Sequence, residues 1–401
     1  MDVLISGASI AGPALAYWLR RYGYSVTVVE RGPELRPGGQ GIDIRGAGRT
    51  VVERMGLMRP IKAAHAGVRG LSYVDGDGRV VAEMPMDEFG DSGGIVADIE
   101  ILRGDLSRIL YDAAPAEYLF GDSIAALSDT EAGVDVAFES GLRRRFDLVI
   151  GADGIGSNTR RLAFPGNAWR IEDSGYHRAV FNAGRLMELG DTELMYNAPA
   201  GNGTTLGRVA LLYPAHGEVR VQFAFGCPPI EYDRADIAAQ KRIVADVYAG
   251  LGWRVPDMLA AMERADDFYF DRPGKLAADR WYHGRVALLG DACTAGSVGM
   301  GTSMALVGAY VLAGELAAAG GDHRVGYPAY QAAMREFVAA NMKPMPGGVK
   351  GFLPPTERAI RMRNGMMRLM LKTPMKRLMM GGMDKAVNAI SLRDYPVPVG
   401  G

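Results

Sequence analysis

A short glycine turn between an apolar strand and a helix constrains this chain more than any other feature. The hexapeptide GASIAG, residues 7–12, follows the apolar run 3–6 and opens segment 13–22, whose apolar residues recur at helical spacing. The next apolar run, residues 25–30, ends in an acid. Strand, glycine turn, helix and a second strand that ends in a carboxylate are typical of a dinucleotide-binding βαβ unit.

The turn has the chemistry of a pyrophosphate site. Gly7 permits the sharp turn, Gly12 lets helix and strand approach closely, and the helix start offers N–H groups and a positive dipole end. Glu30 can accept hydrogen bonds from ribose hydroxyls. Ser9 replaces the middle glycine of the usual pattern, so a Cβ lies where the backbone passes nearest the phosphates. The candidate cofactor contacts of this unit are Gly7, Ser9, Ile10, Ala11, Gly12, Glu30 and Arg31.

Two further strand-like runs lead into turns of similar composition. Residues 147–151 are followed by Asp153 and Gly154 and then by a Ser/Asn/Thr cluster able to cap a helix. Residues 286–301, VALLGDACTAGSVGMG, carry Asp291 at the end of an apolar run and then a glycine-rich loop. A buried carboxylate is tolerated when it accepts hydrogen bonds, and glycine permits close approach of backbone and ligand. Both segments therefore predict parts of a binding site.

The middle of the chain interrupts the α/β pattern with antiparallel segments. Residues 67–86 alternate apolar and polar around DGDG, which predicts a β-hairpin, and runs 207–213 and 218–225 predict further strands. We predict an α/β fold with a Rossmann-like nucleotide-binding domain, an inserted β-rich domain and C-terminal helices. The predicted boundaries are 1–70, 96–165 and 276–330 for the discontinuous first domain, 71–95 and 166–275 for the inserted domain, and 331–401 for the helical segment.

The C-terminal helices are rich in methionine and arginine. Segments 337–343, 359–371 and 374–386 carry this composition. A helix on a membrane surface would show similar alternation of basic and apolar residues. Packing across both domains, with methionine as a flexible filler, is the favoured interpretation, and the same methionines could line part of an apolar cavity.

Composition excludes several classes of partner. The net charge is -1, from 45 basic and 46 acidic residues, so no overall field attracts nucleic acid or an anionic membrane. Two cysteines cannot form a disulfide framework, and the five histidines do not lie at metal-ligand spacing, so no metal site is predicted. The apolar run 304–314 is shorter than the roughly 20 residues that span a bilayer, and the N-terminus does not resemble a signal peptide. We expect a cytoplasmic protein that binds neither nucleic acid nor membrane.

Together, the three glycine-containing segments resemble the fingerprints of class A flavoprotein monooxygenases with the para-hydroxybenzoate hydroxylase fold, and among them the short tetracycline-inactivating type. The likeness covers residues 1–330. Residues 101–110 resemble the family helix whose arginine, Arg103 in this chain, reaches FAD. Residues 37–45 resemble the segment along the isoalloxazine ring, with Gln40 and Asp43 at flavin-contact positions. Arg36 falls where tetracycline-modifying members place an arginine used by NADPH.

The resemblance implies a role for each acid and for the last glycine loop. Glu30 would bind the adenosine ribose of a non-covalent FAD, Asp153 and Gly154 would support pyrophosphate and nicotinamide binding, and Asp291 would bind the ribityl hydroxyls. The loop after Asp291 is shorter than in the family and lacks its proline, and Cys293 within it is interpreted as a small buried thiol. The flavin-facing residues implied for this segment are Gly290, Asp291, Gly299, Met300, Gly301 and Thr302.

The implied activity is that of an FAD-dependent monooxygenase consuming NADPH or NADH. O2 would form a flavin C4a-hydroperoxide, which would hydroxylate an aromatic or polycyclic, polyketide- or antibiotic-like molecule. Catalysis would be centred on the flavin, since Tyr213, His177 and Arg220 are interpreted as core or surface residues. Two alternatives stay open, an FAD-dependent dehydrogenase or reductase without oxygen insertion and a non-catalytic protein that sequesters a ligand. A halogenase is disfavoured because no W-x-W-x-I-P segment occurs. A monomer or weak dimer is expected.

Overall fold

The computed structural model describes residues 1–85, 99–343, 347–371 and 384–396. Within these residues the strands, in chain order, are β1 (Asp2–Ser6), β2 (Ser25–Glu30), β3 (Gly41–Asp43), β4 (Gly70–Val74), β5 (Val80–Pro85), β6 (Glu100–Leu102), β7 (Glu117–Phe120), β8 (Ile124–Thr130), β9 (Gly133–Phe138), β10 (Arg143–Phe146), β11 (Leu148–Gly151), β12 (Trp169–Asp173), β13 (His177–Asn182), β14 (Thr192–Ala198), β15 (Arg208–Ala215), β16 (Glu218–Phe225), β17 (Tyr269–Asp271), β18 (Gly274–Ala278), β19 (Tyr282–His283) and β20 (Val286–Leu288). The helices are α1 (Ala11–Arg21), α2 (Ala47–Met55), α3 (Met58–Ala63), α4 (Arg103–Ala113), α5 (Asn158–Ala163), α6 (Ile237–Tyr248), α7 (Val255–Arg264), α8 (Asp291–Thr294), α9 (Gly301–Ala318), α10 (His323–Asn341), α11 (Gly348–Phe352) and α12 (Glu357–Leu371).

A six-stranded sheet carries the glycine turns. Its strand order is β19-β20-β11-β1-β2-β7, and only the pairing of β19 with β20 is antiparallel. The central strands read as almost continuous apolar runs because both faces are covered, which is typical of parallel sheets. The carboxyl ends of β1, β11 and β20 lie side by side, so the three turns predicted as binding segments meet at one edge. The α/β fold predicted from the sequence is therefore confirmed.

A seven-stranded sheet forms a second layer. Its order is β17-β13-β16-β15-β14-β4-β5, antiparallel except between β14 and β4. The hairpin predicted for residues 67–86 is β4 and β5, and the predicted runs 207–213 and 218–225 are β15 and β16. Helices α6 and α7 pack on one face through a cluster of aromatic and aliphatic side chains. The boundary predicted between residues 95 and 96 lies outside the described residues, so the domain limits stay a prediction.

The C-terminal region packs on the seven-stranded sheet and on helix α9. Helix α12 lies on β5 and β14, where Arg363 donates a hydrogen bond to Asn197 Oδ1 at 2.8 Å. Segment 384–396 packs on α9, where Tyr395 is buried and donates to Glu315 Oε1 at 2.6 Å. Helix α10 ends at Asn341, slightly before the end predicted for that segment. Of the helix predicted for residues 374–386, residues 374–383 lie outside the described part of the chain.

Helix α9 is the central helix of the core. The sequence predicted an apolar run over residues 304–314, too short for a membrane span, whereas the helix has 18 residues and an apolar composition long enough to cross a bilayer. However, 78% of that window is buried inside the protein. Both long faces of α9 contact other helices, namely α1, α2 and α10. Burial on all sides accounts for its uniformly apolar sequence.

Candidate functional site

The first turn can be built only from glycine at its two ends. Gly7 has a φ of 109°, and a Cβ on it would lie 2.5 Å from the carbonyl oxygen of Ala152. A Cβ on Gly12 would lie 1.9 Å from the carbonyl oxygen of Gly7. Contacts this short cannot be relieved by rotating a side chain, because the opposing atoms belong to the backbone. The turn therefore presents bare backbone at the carboxyl ends of β1 and β11.

The helix after this turn has a free N-terminal end. Ile10 occupies the position before α1, no side chain caps the helix, and no acidic residue lies in its first turn. The side chain of Ser9 accepts a hydrogen bond from Arg103 Nε at 3.1 Å. Ser107 of α4 donates to the carbonyl oxygen of Ser9 at 3.0 Å. The sequence indicated Ser9 only as a departure from the usual glycine pattern. In the structure, its hydroxyl accepts the hydrogen bond that holds the Arg103 guanidinium at the start of α1.

The carboxylate of Glu30 stabilises the same turn through hydrogen bonds. Its two oxygens accept hydrogen bonds from the backbone N–H groups of Ala8 and Gly32, each at 2.9 Å. An ionised carboxylate offers about four lone-pair positions, so it can still accept hydroxyl donors from a ligand. Arg31 and Arg36 are both exposed at the rim of the sheet. Ile10 and Ala11 lie buried beside the turn.

Asp153 lies where β11 ends. Its Oδ2 accepts hydrogen bonds from the N–H and the hydroxyl of Thr159, both at 2.9 Å, and so fixes the first turn of α5. Its Oδ1 is buried and has no hydrogen-bond partner in the described chain. Gly154 follows with a φ of 78°, a conformation that favours glycine. The second predicted segment therefore presents a bare backbone position at Gly154 beside the first turn, while Asp153 fixes the start of α5.

The third predicted segment meets the start of α1. A Cβ on Gly290 would lie 3.1 Å from the Cβ of Ala11, and the φ of Gly290 is 60°. Asp291 follows, is accessible to solvent and accepts no hydrogen bond within the described residues. Its depth in the fold raises the pKa of this carboxyl, while the positive charges of Arg103 and Arg178 oppose that shift. These features describe an acceptor on the wall of a cleft, influenced by a cation from α4 and a cation from β13.

Helix α9 starts in the same cleft. It begins at Gly301 after Met300, has no side-chain cap and carries no acidic residue in its first turn, where Thr302 lies. A Cβ on Gly301 would lie 3.7 Å from Asp291 Oδ1. A Cβ on Gly299, whose φ is 73°, would lie 3.4 Å from Asp43 Oδ2. The glycine loop therefore separates two carboxylates and leaves the N-terminus of α9 open to the cleft.

The segment from residue 37 to 45 crosses this opening. The carbonyl oxygen of Gln40 accepts from Arg103 N at 3.0 Å, which ties the segment to α4. Asp43 accepts hydrogen bonds from Arg45 at 3.1 and 2.7 Å, and Arg45 N donates to Ser303 Oγ at 2.9 Å. Burial nevertheless raises the pKa of the Asp43 carboxyl. The first turn, the loop after Asp291 and segment 37–45 thus lie close together at the starts of α1, α4 and α9.

Two carboxyl groups of the cleft were not predicted. Glu100 stands opposite Asp43 in the pairing of β6 with β3, and burial, together with the charge of Asp43, raises its pKa to about 8. Glu193 is the second residue of β14 in the seven-stranded sheet, and burial, with the charges of Glu100 and Asp43, raises its pKa well above the usual range. No local motif marks Glu193, because only tertiary packing brings β14 near β3 and β6.

The three side chains interpreted as core or surface residues are indeed buried. Tyr213 accepts a hydrogen bond from Gly41 N at 3.3 Å, and burial raises its pKa to about 12. The ring of His177 packs against the rings of Phe225 and Phe270, and burial, with the charge of Arg272, lowers its pKa to about 4. Arg220 donates to Asp267 Oδ2 at 2.5 Å. Neither Tyr213 nor His177 combines exposure with a pKa near neutrality.

Cys293 is a buried thiol, as expected. Its Sγ donates to the carbonyl oxygens of Leu288 and Gly290, each at 3.4 Å, and burial raises its pKa to about 12. A thiol with this pKa is neither nucleophilic nor a metal ligand at neutral pH. In the part of the chain that the structure describes, no group of three or more His, Cys, Asp or Glu side chains is arranged to hold a metal ion.

Comparisons with known proteins agree with this geometry. Residues 1–342 match the family described as "FAD binding domain". An uncharacterized protein of Mycobacterium tuberculosis is 44% identical over 361 residues, covering 88% of this chain and 94% of that protein. A flavin-dependent monooxygenase of Legionella longbeachae is 34% identical over 347 residues, covering 86% and 87%. The crystal structure of tetracycline destructase Tet(51) superposes with a TM-score of 0.80 at 30% identity, covering 98% of this chain and 99% of that one.

Proposed function

The chain belongs to the family of FAD-dependent monooxygenases, and we propose that it uses NADPH or NADH and O2 to hydroxylate an aromatic or polycyclic small molecule. One oxygen atom of O2 would enter the substrate, the other would leave as water, and the nicotinamide would supply the two electrons. We further propose that the protein acts in the cytoplasm as a monomer or weak dimer. A relative named tetracycline destructase supports a polycyclic, antibiotic-like substrate.

The observation that supports this proposal is the convergence of two helix N-termini and two charged side chains on one cleft. The uncapped ends of α1 and α9 both point there, and neither carries an acidic residue in its first turn. Arg103 brings a positive charge to the first turn, and Asp291 brings an acceptor without a partner. Helix N-termini and an arginine suit a pyrophosphate, whereas a carboxylate suits hydroxyl donors. FAD has both kinds of group, so these residues fit it.

Each predicted residue has a role in this proposal. The turn from Gly7 to Gly12 and Arg103 would bind the pyrophosphate, Glu30 the adenosine ribose, and Asp291 the ribityl hydroxyls. Asp43 and the backbone from Gly299 to Thr302 would flank the flavin ring. The exposed guanidinium of Arg36 would attract the phosphate of the electron donor. Asp153, which holds Thr159 at the start of α5, and Gly154 would support pyrophosphate and nicotinamide binding.

Bound FAD would supply the redox chemistry, which is electron transfer from NAD(P)H and activation of O2. The chain would supply orientation and electrostatics. The N-terminus of α9 places positive partial charge beside the flavin-facing loop, where it would stabilise negative charge. The buried groups Tyr213 and His177 do not exchange protons near neutral pH, because their pKa values are about 12 and about 4. The proposal therefore requires no protein base at either position.

Absorbance and turnover measurements test the proposal in sequence. The purified protein is expected to be yellow, with FAD released on denaturation. NADPH or NADH oxidation and O2 uptake are then followed with a panel of polycyclic phenols that includes tetracycline. The masses of the products are measured by mass spectrometry. A gain of one oxygen supports the monooxygenase. Substrate oxidation without that gain would identify a dehydrogenase, and tight binding without turnover would identify a sequestering protein. A colourless protein that cannot be reconstituted with FAD would contradict all three.

A further inference from the structure

The loop between α8 and α9, residues 295–300, is tied to a distant part of the chain. Gly296 and Gly299 have φ values of 111° and 73°. Glycine keeps more backbone freedom than other residues, so fixing this loop costs more conformational entropy. Ser297 is the one polar side chain of the loop. Its hydroxyl donates to the carbonyl oxygen of Asn341 at 3.0 Å, which attaches the loop to the end of α10.

Asn341 joins this attachment to the C-terminal segment 384–396. It is the last residue of α10, where the final carbonyl groups have no partner within the helix. Its carbonyl oxygen accepts the hydrogen bond from Ser297, and its Nδ2 donates to the carbonyl oxygens of Phe337 and Ala386, each at 2.8 Å. The residue is buried. One side chain therefore connects loop 295–300 to segment 384–396.

Segment 384–396 also contacts the end of the other flavin-facing stretch, residues 37–45. Val387 is buried, and a Cβ on Gly46 would lie 2.3 Å from the Val387 carbonyl oxygen. Gly46 directly follows residues 37–45 and has a φ of 47°, so it both turns the chain and lets the segment approach. Both stretches of backbone that were assigned to the flavin ring are thus linked to segment 384–396, one at Gly46 and one through Asn341.

The far end of segment 384–396 has separate attachments. Tyr395 is buried and donates to Glu315 Oε1 at 2.6 Å. Its ring packs on that of Tyr310, with the centroids 5.3 Å apart. These contacts hold the segment on α9 and do not involve loop 295–300. The two ends of the segment can therefore be perturbed independently, and the end at Asn341 is the one that adjoins the cleft.

From these contacts we propose that Asn341 is a positioning residue for the flavin ring. By holding Ala386 and Ser297 together, it lets segment 384–396 fix loop 295–300 and so the start of α9. The inference rests on the proposed function, because it assumes that FAD occupies the cleft. Asn341 touches neither cofactor nor substrate, and its effect passes through Ser297.

FAD binding by full-length variants tests the proposal. Asn341→Ala removes both hydrogen bonds of Nδ2, and the matched control Tyr395→Phe removes the hydrogen bond at the other end of segment 384–396. The dissociation constant comes from the fluorescence of FAD released when the holoprotein is diluted. Visible circular dichroism at saturating FAD reports the surroundings of the bound ring, which a purely structural role of Asn341 would not change.

The two variants should separate positioning from stability. We expect Asn341→Ala to weaken FAD binding about fivefold, as the loss of about one hydrogen bond would, and to alter the flavin dichroism. Tyr395→Phe should lower the unfolding midpoint and keep the wild-type dissociation constant and dichroism.

Variants of Ser297 connect the effect to the loop. Ser297→Ala removes the donor and should weaken FAD binding by a similar factor, whereas Ser297→Thr keeps a hydroxyl and should bind FAD like the wild type. Both Ser297→Ala and Asn341→Ala break the same connection. The double variant should therefore bind FAD about as tightly as either single variant, whereas independent effects would multiply to about twenty-five-fold.

Several results would overturn the inference. These are wild-type FAD binding and dichroism in Asn341→Ala or Ser297→Ala, equal effects of Asn341→Ala and Tyr395→Phe, or multiplied effects in the double variant. If Asn341→Ala does not fold, the comparison of Ser297→Ala with Ser297→Thr decides. Failure of the proposed function is recognised separately, since the wild-type protein would then bind no FAD or oxidise no NAD(P)H.

Discussion

Asp291 and Cys293 stand two positions apart on one short helix, but their surroundings predict opposite effects of mutation. Asp291 faces the cleft with no hydrogen-bond partner in the described chain, whereas Cys293 is sealed beneath it against Leu288 and Gly290. In Asp291→Ala the ribityl hydroxyls would lose a charged acceptor, a loss of about 2 kcal/mol or about thirtyfold in affinity. The ratio of flavin to protein absorbance after purification measures this loss of FAD binding. Cys293→Ala should keep wild-type FAD content. Equal FAD content in the two variants would contradict the assignment of Asp291.

Glu100 should make the stability of the protein depend on pH. Its pKa is raised from 4.5 to about 8, chiefly by burial and then by Asp43, with Arg45 opposing. A raised pKa means that the folded chain holds this proton more tightly than the unfolded chain. The stabilisation is complete below pH 4.5 and is lost as the pH rises through about 8. The free energy of unfolding should therefore fall across this window, by at most about 1.4 kcal/mol per pH unit for one proton.

Glu100→Gln isolates this contribution, since it keeps the shape and removes the titration. Denaturant unfolding at several pH values should give a smaller slope for the variant than for the wild type. Asp43, Glu193 and Arg45 face the same space, so Glu193 titration will leave part of the slope in place. An unchanged slope in Glu100→Gln would show that Glu100 is already ionised in the folded protein at neutral pH.

At the scale of secondary-structure elements, β1 and α1 can pack closely because Gly12 has no Cβ atom. A Cβ on Gly12 would lie 1.9 Å from the Gly7 carbonyl oxygen, so Gly12→Ala must separate helix and strand. We expect at least about 3 kcal/mol of destabilisation and loss of FAD, because the pyrophosphate turn moves with the helix. Gly156→Ala is the matched control, since a Cβ there would meet no atom within 4 Å. Similar unfolding midpoints for the two variants would contradict the proposed close packing.

Local patterns explain why these elements could be predicted from the sequence. Buried parallel strands need near-continuous apolar runs, and tight turns need glycine. The strands and turns of residues 2–30 and 147–154 can therefore be predicted from their residue types. The hairpin of β4 and β5 has a similarly local signal in its turn residues. The convergence of Asp153, Asp291 and the first turn followed from the resemblance to a known family and from the rule that parallel strands align their carboxyl ends.

Other features depend on contacts between residues distant in the chain, and no local pattern encodes them. The hydrogen bond from Arg103 to Ser9 joins α4 to the first turn. Ser9, which replaces a glycine of the usual pattern, therefore has a structural role that the sequence did not indicate. The charges of Asp43 and Glu100 act on Glu193 only because the two-stranded sheet of β3 and β6 packs near β14. Tyr395 packs on α9 from beyond the matched family region. Such contacts become visible only when the tertiary structure is known.

In the whole molecule, the cleft lies at the junction of the two sheets and should link their stabilities. Tyr213 of the seven-stranded sheet accepts a hydrogen bond from Gly41, and Arg220 lies 3.2 Å from the position of a Cβ on Gly38. Arg178 of the same sheet acts on Asp291, which follows strand β20 of the six-stranded sheet. A ligand bound at this junction contacts both layers, so it should stabilise them as one unit.

Calorimetry of the apoprotein with added FAD tests this linkage. Free FAD at about one hundred times its dissociation constant should add about 2.7 kcal/mol of stability. For a chain of 401 residues this corresponds to a rise of about 3 °C in the unfolding midpoint, because the unfolding entropy grows with length. The transition should stay single, and in Asp291→Ala a much higher FAD concentration should be needed for the same rise. Two separate transitions, with only one of them moved by FAD, would mean that the cofactor binds one sheet alone and that the cleft between the sheets is not its site.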